Sequence, residues 1–148
     1  MGTTRVTAGA KVPPERFISA LTDFGPARFD LWANSRPGYF QLHDRGDTWA
    51  DVTEGSPAGG GIWQRYRYDW STPGVVRLQV LDGNTFGVGS SWEYRVVPED
   101  GGRSRIELTV HRAPVSAKGR VLDALLTAFG GLYLGRDLRR TVRKLERA

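Results

Sequence analysis

Any chemistry this chain performs must come from oxygen and nitrogen side chains. It contains no cysteine, so thiolate nucleophiles, thiolate metal sites and disulfides are excluded. The two histidines, His43 and His111, are the first places to look for a general base. His111 falls on the outward parity of its segment with Arg105, Glu107 and Thr109, which argues for the surface. His43 lies opposite Phe40 and Leu42 on a segment whose inward side the alternation leaves open. There is no HExxH pair, no GxSxG elbow, no glycine-rich phosphate loop between strand and helix, and no cluster with metal-ligand spacing. No metal or cofactor is therefore expected, and no catalytic residue is assigned. Asp51 and Glu93 are carboxylates on strands without an evident partner, and Gly59, Gly60 and Gly61 read as a loop.

What the chain offers instead is a set of rings at alternating spacing. From Ile62 to Trp70, Gln64, Tyr66, Tyr68 and Trp70 alternate with Trp63, Arg65, Arg67 and Asp69, so one face is aromatic and the other charged. Extending that parity along the following strands gives an inward set of Tyr66, Tyr68, Trp70, Leu78, Trp92, Tyr94, Leu108 and Val110. Five of these are Tyr or Trp. Such residues need a partner for O–H or N–H when buried, and rings with an apolar body and one polar tip are common pocket linings. They either line a ligand cavity or fill the space under a helix. Gln64 and Arg112 share the parity near strand ends, where each could face solvent or fix a polar group of a ligand. An arginine at a pocket mouth would favour a carboxylate or phosphate.

These strands need a cover, and residues 116–147 supply it as one long amphipathic helix. Leu122, Leu125, Leu126, Phe129, Leu132 and Tyr133 fall at i, i+3, i+4, i+7 spacing, predicting that Leu125, Phe129 and Tyr133 face the sheet. Leu134, Leu138, Val142 and Leu145 form a second, displaced row. Gly130, Gly131 and Gly135 between the rows predict a bend or a close backbone contact, the bend being the reading taken. Ahead of the helix, Thr4, Val6, Ala8, Ala10 and Val12 alternate as a first strand. Pro13-Pro14-Glu15 opens a short helix carrying Phe17, Ile18 and Leu21. A second short helix after Gly25-Pro26 carries Trp32, placed either in the core or at one end of the cavity. Short strands separated by turn residues then run to His111, the pattern of an antiparallel meander.

At 148 residues, with 39% hydrophobic and 25% charged residues, the chain should form one folded domain over residues 1–148. No leader-like or membrane-spanning apolar run is present, so a soluble cytoplasmic protein is expected. The net charge of +5 permits anionic partners, but Arg136, Arg139, Arg140, Arg143, Lys144 and Arg147 read as a solvated helix end. The charged sheet face mixes both signs, and Trp63 is its one aromatic, so nucleic acid is a poor fit. A protein partner or homodimer stays open.

The order of strand, two short helices, about six strands and a long terminal helix resembles the helix-grip fold of the START and pollen-allergen-like superfamily (SRPBCC). Val12-Pro13-Pro14-Glu15-Arg16 with Leu21-Thr22-Asp23 looks like that superfamily's passage from first strand to first helix. Arg65-Tyr66-Arg67-Tyr68-Asp69-Trp70-Ser71 is similar to a stretch in actinobacterial polyketide cyclase/dehydrase-type members. The resemblance implies an α+β fold with a curved antiparallel sheet of about seven strands wrapped around the C-terminal helix. It also implies a cavity between them for a lipid, polyketide or similar apolar compound. Binding or carriage of a hydrophobic, ring-containing small molecule is the expected function. A polyketide aromatase/cyclase acting in the same cavity is the alternative, with Tyr66, Tyr68, Tyr94 or Arg112 supplying hydrogen bonds and proton transfer.

Overall fold

The computed structural model describes residues 2–148. Strand β1 (Gly2–Ala10) leads into helix α1 (Pro14–Leu21) and the single-turn helix α2 (Arg28–Leu31). The meander follows: β2 (Gln41–Arg45), β3 (Trp49–Ser56), β4 (Ile62–Asp69), β5 (Val75–Gly83), β6 (Ser91–Glu99) and β7 (Arg103–Arg112). Helix α3 (Ala117–Arg147) closes the chain. The strands form one antiparallel sheet ordered β1-β7-β6-β5-β4-β3-β2. The segment carrying α1 and α2 therefore crosses from one edge strand to the other. The sheet curves, with ladder irregularities between Arg65 and Tyr66 and between Leu42 and Asp44, where an extra residue bends the strand. This is the helix-grip α+β architecture. Among the described residues no helix is long and apolar enough to cross a membrane.

The alternation read along the strands holds. Tyr66, Tyr68, Val76, Leu78, Val80, Tyr94, Val96, Ile106, Leu108 and Val110 are buried on the concave side with Ala8 and Ala10 of β1. The convex side carries the charges, and they pair across strands. Arg65 donates twice to Asp51 at 2.8 Å, and Arg77 reaches Glu93 at 2.8 Å. Hydrogen bonds from these arginines hold the Asp51 and Glu93 carboxyls below their ordinary range. Ion pairs on a solvated sheet face contribute little to stability, because water and salt screen them.

Helix α3 contradicts the expectation for its first half. Leu125, Phe129, Leu132 and Tyr133 are exposed, Phe129 at 63% and Leu132 at 69%, while Leu122 and Leu126 are half-buried. The row in the core is the displaced one: Leu134, Leu138, Val142 and Leu145. Toward the sheet, the first half presents Gly119, Asp123 and Gly130. These are small or polar because the backbone comes close there. A Cβ on Gly119 would overlap the Thr85 carbonyl oxygen, and one on Gly130 would lie 3.0 Å from Thr4 Oγ1. The helix runs unbroken through Gly130, Gly131 and Gly135, and close approach to Thr4 of β1 accounts for Gly130.

Both ends of α3 are tied down. Ser116 caps its start by accepting from the Gly119 amide at 3.0 Å, and Lys118 Nζ donates to the Gly61 carbonyl at 2.9 Å. At the other end Arg16 donates to the Leu145 and Ala148 carbonyls, and Thr141 to the Leu31 carbonyl. A helix so anchored fixes the width of the space beneath it.

Candidate functional site

Between the concave sheet and the middle of α3 lies a cavity of about 230 Å³. The sheet contributes Glu54, Gln64, Tyr66, Trp92, Val110 and Arg112, and α3 contributes Leu126, Tyr133, Leu134 and Asp137. Gly55, Ser56, Ile62 and His111 on the strands and the loop residues Ala33, Asn34, Ala58, Phe86 and Ser90 complete the wall. Ala33, Asn34, Ala58 and Tyr133 are exposed and mark its mouth. The loops are held in place by their own hydrogen bonds. Asn84 joins the strand ends by accepting from the Trp63 amide and donating to the Gly61 carbonyl. Phe86 bridges to Pro114, and Ser90 Oγ accepts from the Ala113 amide at 2.9 Å.

Of the residues expected to line this space, Tyr66, Trp92, Val110, Arg112 and Tyr133 do so. Trp32, Tyr68, Leu78, Tyr94 and Leu108 belong instead to the solid core at the other end of the sheet, which the second half of α3 seals. Trp32 packs edge-on to both Tyr94 and Phe17, and Tyr94 lies tilted against Phe17. Trp70 is half-buried against Phe24. Leu125 and Phe129 lie on the outer side of α3. His43 and His111 are exposed, hydrogen-bonded to Thr53 and Thr3. His111 lines the cavity from an exposed position, whereas His43 does not reach it, and neither is a buried base.

The polar residues around the cavity fall into sets. Arg28, 2% exposed, donates from Nε and Nη2 to the Glu54 carboxylate, itself 3% exposed, at 3.1 Å on each arm. Its Nη1 donates to the Leu21 carbonyl at 2.7 Å, and Tyr68 O–H closes the set by donating to Glu54 while accepting from Arg28. Burial alone would lower the guanidinium pKa. Tyr68 and Glu54 outweigh it and hold Arg28 firmly charged. Its guanidinium carbon also lies 5.1 Å, 5.9 Å and 5.3 Å from the ring centres of Phe24, Trp32 and Tyr68, within cation–π range. Arg112, expected near a strand end, is buried and donates to Asp123 at 2.9 Å and Thr4 at 2.7 Å. Its charge is therefore matched within the protein. Tyr66 O–H donates to Gln64 Oε1 at 2.8 Å, and burial pushes the Tyr66 phenol well above its ordinary pKa. It serves as a neutral donor, not as a base. Asp137 stands apart on the α3 wall. Burial pushes its carboxyl up, against the influence of Arg140 and Lys144.

Glu54 and Asp137 were not singled out in the sequence, although each left a signal. Glu54 shares the parity of the buried Ala50 and Val52, and a carboxylate on an apolar parity needs a buried cation. Asp137 is one acid among arginines, at the helical spacing that places it beside Leu134, Leu138 and Thr141.

No protein-family model matches this chain, and no curated protein sequence does. Solved structures share its fold. The aromatase/cyclase Zhui from Streptomyces sp. R1128 superposes with a TM-score of 0.79 at 18% identity, over 98% of this chain and 93% of that one. A START superfamily protein from Mycobacterium smegmatis gives 0.74 at 12% identity over 98% and 99%. The protein named Ara h 8.0201 gives 0.58 at 14% identity over 99% and 98%. At these identities the likeness establishes the helix-grip fold and nothing finer.

Proposed function

We propose that the chain acts as one cytoplasmic ligand-binding domain, holding an apolar, ring-containing small molecule between the sheet and α3. The observation that carries this reading is the wall itself. Tyr66, Phe86, Trp92 and Tyr133 offer rings, Val110, Leu126 and Leu134 offer aliphatic surface, and a few polar tips stand among them. Size agrees: an engineered cavity of about 150 Å³ holds one benzene, so about 230 Å³ suits a compound of about two fused rings. The two anchored ends of α3 keep that volume open rather than letting the walls collapse.

Leu126 gives a direct test, because it lines the cavity from a half-buried helix position where a larger side chain disturbs the core little. The fluorescent two-ring compound aminonaphthalene is expected to bind saturably at one site. Leu126→Trp, which fills the space, is expected to weaken it by about tenfold or more, with thermal unfolding little changed. Undiminished binding by that variant would place the site elsewhere.

A second reading, an enzyme of aromatase/cyclase type in the same cavity, draws on the likeness to Zhui and on the Asp137 carboxyl. Of the residues expected to assist such chemistry, Tyr66 and Arg112 reach the cavity, whereas Tyr68 and Tyr94 are core residues. Turnover of a poly-β-ketone mimic, lost on Tyr66→Phe or Asp137→Asn, would separate enzyme from carrier.

A further inference from the structure

Of the carboxylates and arginine that line the cavity, all but one have a partner, and the lining His111 is hydrogen-bonded to Thr3. Glu54 is matched by Arg28 and Arg112 by Asp123. Asp137 makes no hydrogen bond or ion pair among the described residues, although it lines the cavity and sits on its helix wall. The groups within its electrostatic reach are Arg140 and Lys144 along α3 and Tyr94 from β6. Lys144 Nζ is engaged with the Asp30 carbonyl at 2.9 Å, Arg140 is exposed, and Tyr94 is a neutral phenol. Across the cavity, Gln64 gives its amide oxygen to Tyr66, leaving an amide nitrogen for a neutral acceptor such as a carbonyl.

We infer that Asp137 sets the polarity of the ligand: the cavity takes a ring compound presenting a hydrogen-bond donor, a hydroxyl or protonated amine, to this carboxylate and turns away ring carboxylates. The inference rests on the cavity reading above and reverses what Arg112 suggested in the sequence. An arginine already matched by a buried aspartate offers little to a second anion. A half-buried carboxylate without a donor gains from a ligand that supplies one and is repelled by a like charge in a site of low polarity.

Four two-ring probes of similar size test this by calorimetry on the full chain: naphthalene, naphthol, naphthylmethylamine and naphthoate. Naphthol and the protonated amine are expected to bind about tenfold or more tighter than naphthoate, the scale of one charge-assisted hydrogen bond. Asp137→Leu is expected to bring the ionic and hydroxyl probes within about twofold of one another. Asp137→Asn, nearly isosteric, should keep the preference for naphthol and lose the advantage of the amine. Thermal unfolding of both variants checks the fold. Naphthoate binding as tightly as naphthol, or an unchanged ranking in Asp137→Leu, overturns the inference while leaving the cavity reading intact. Failure of all four probes to bind overturns the cavity reading and this inference with it.

Discussion

Arg28→Met is expected to destabilise the protein by about 3–5 kcal/mol in urea unfolding, the largest loss from any single charged residue. The reason is Glu54. Its carboxylate is 3% exposed and takes both arms of Arg28 together with the Tyr68 hydroxyl. Removing the guanidinium leaves a buried charge without its counterion and also frees the Leu21 carbonyl that Arg28 Nη1 satisfied. Replacing both partners is a different experiment. Arg28→Met with Glu54→Gln leaves no unpaired charge, so the double variant should recover most of the loss. A cost below about 1 kcal/mol for Arg28→Met would contradict the account of this cluster. Because Glu54 also lines the cavity, the single variant should disturb ligand binding where the double variant disturbs it less.

The second large effect separates the two faces of α3. Leu138→Ala should cost about 2–5 kcal/mol, because Leu138 is 4% exposed within the core and its removal leaves a cavity. Phe129→Ala, on the same helix, should change stability by no more than about 0.5 kcal/mol. Phe129 is 63% exposed, and alanine is the better helix former. Equilibrium unfolding of the two variants side by side decides between the faces. The reverse order would restore the arrangement that hydrophobic spacing alone suggests.

That contrast also shows where the sequence stops being legible. Period-two alternation in β4 and β7 assigned Tyr66, Tyr68, Leu108 and Val110 to the concave side, because a strand packed on one face leaves no freedom in which side is buried. The element order, with one long helix to cover one apolar sheet, then led to the helix grip. A helix is less constrained. Its periodicity locates an apolar stripe but not the surface the stripe touches, and α3 carries two. The larger residues, Leu125, Phe129 and Leu132, stayed outside because the sheet-facing positions needed small backbone at Gly119 and Gly130 and a partner for Arg112 at Asp123. None of those partners is near α3 in sequence: Thr85, Thr4 and Arg112 belong to a loop, the first strand and the last. The site was partly legible for the same reason. Tyr66, Trp92, Val110, Arg112 and Tyr133 reach the cavity, but strand parity does not tell which stretch of an inward face meets open space and which meets Phe17, Leu21 and Trp32. Those come from the segment that crosses between the sheet edges and plug one end of the concave face.

The claim on which the rest depends is that the space under α3 holds a ring compound. Native mass spectrometry of freshly purified protein, followed by solvent extraction and exchange with an excess of naphthol, addresses it most directly. The account predicts a one-to-one complex that the Leu126→Trp variant fails to form. A wild-type chain that forms no complex, or a variant that binds as well as the wild type, would contradict it.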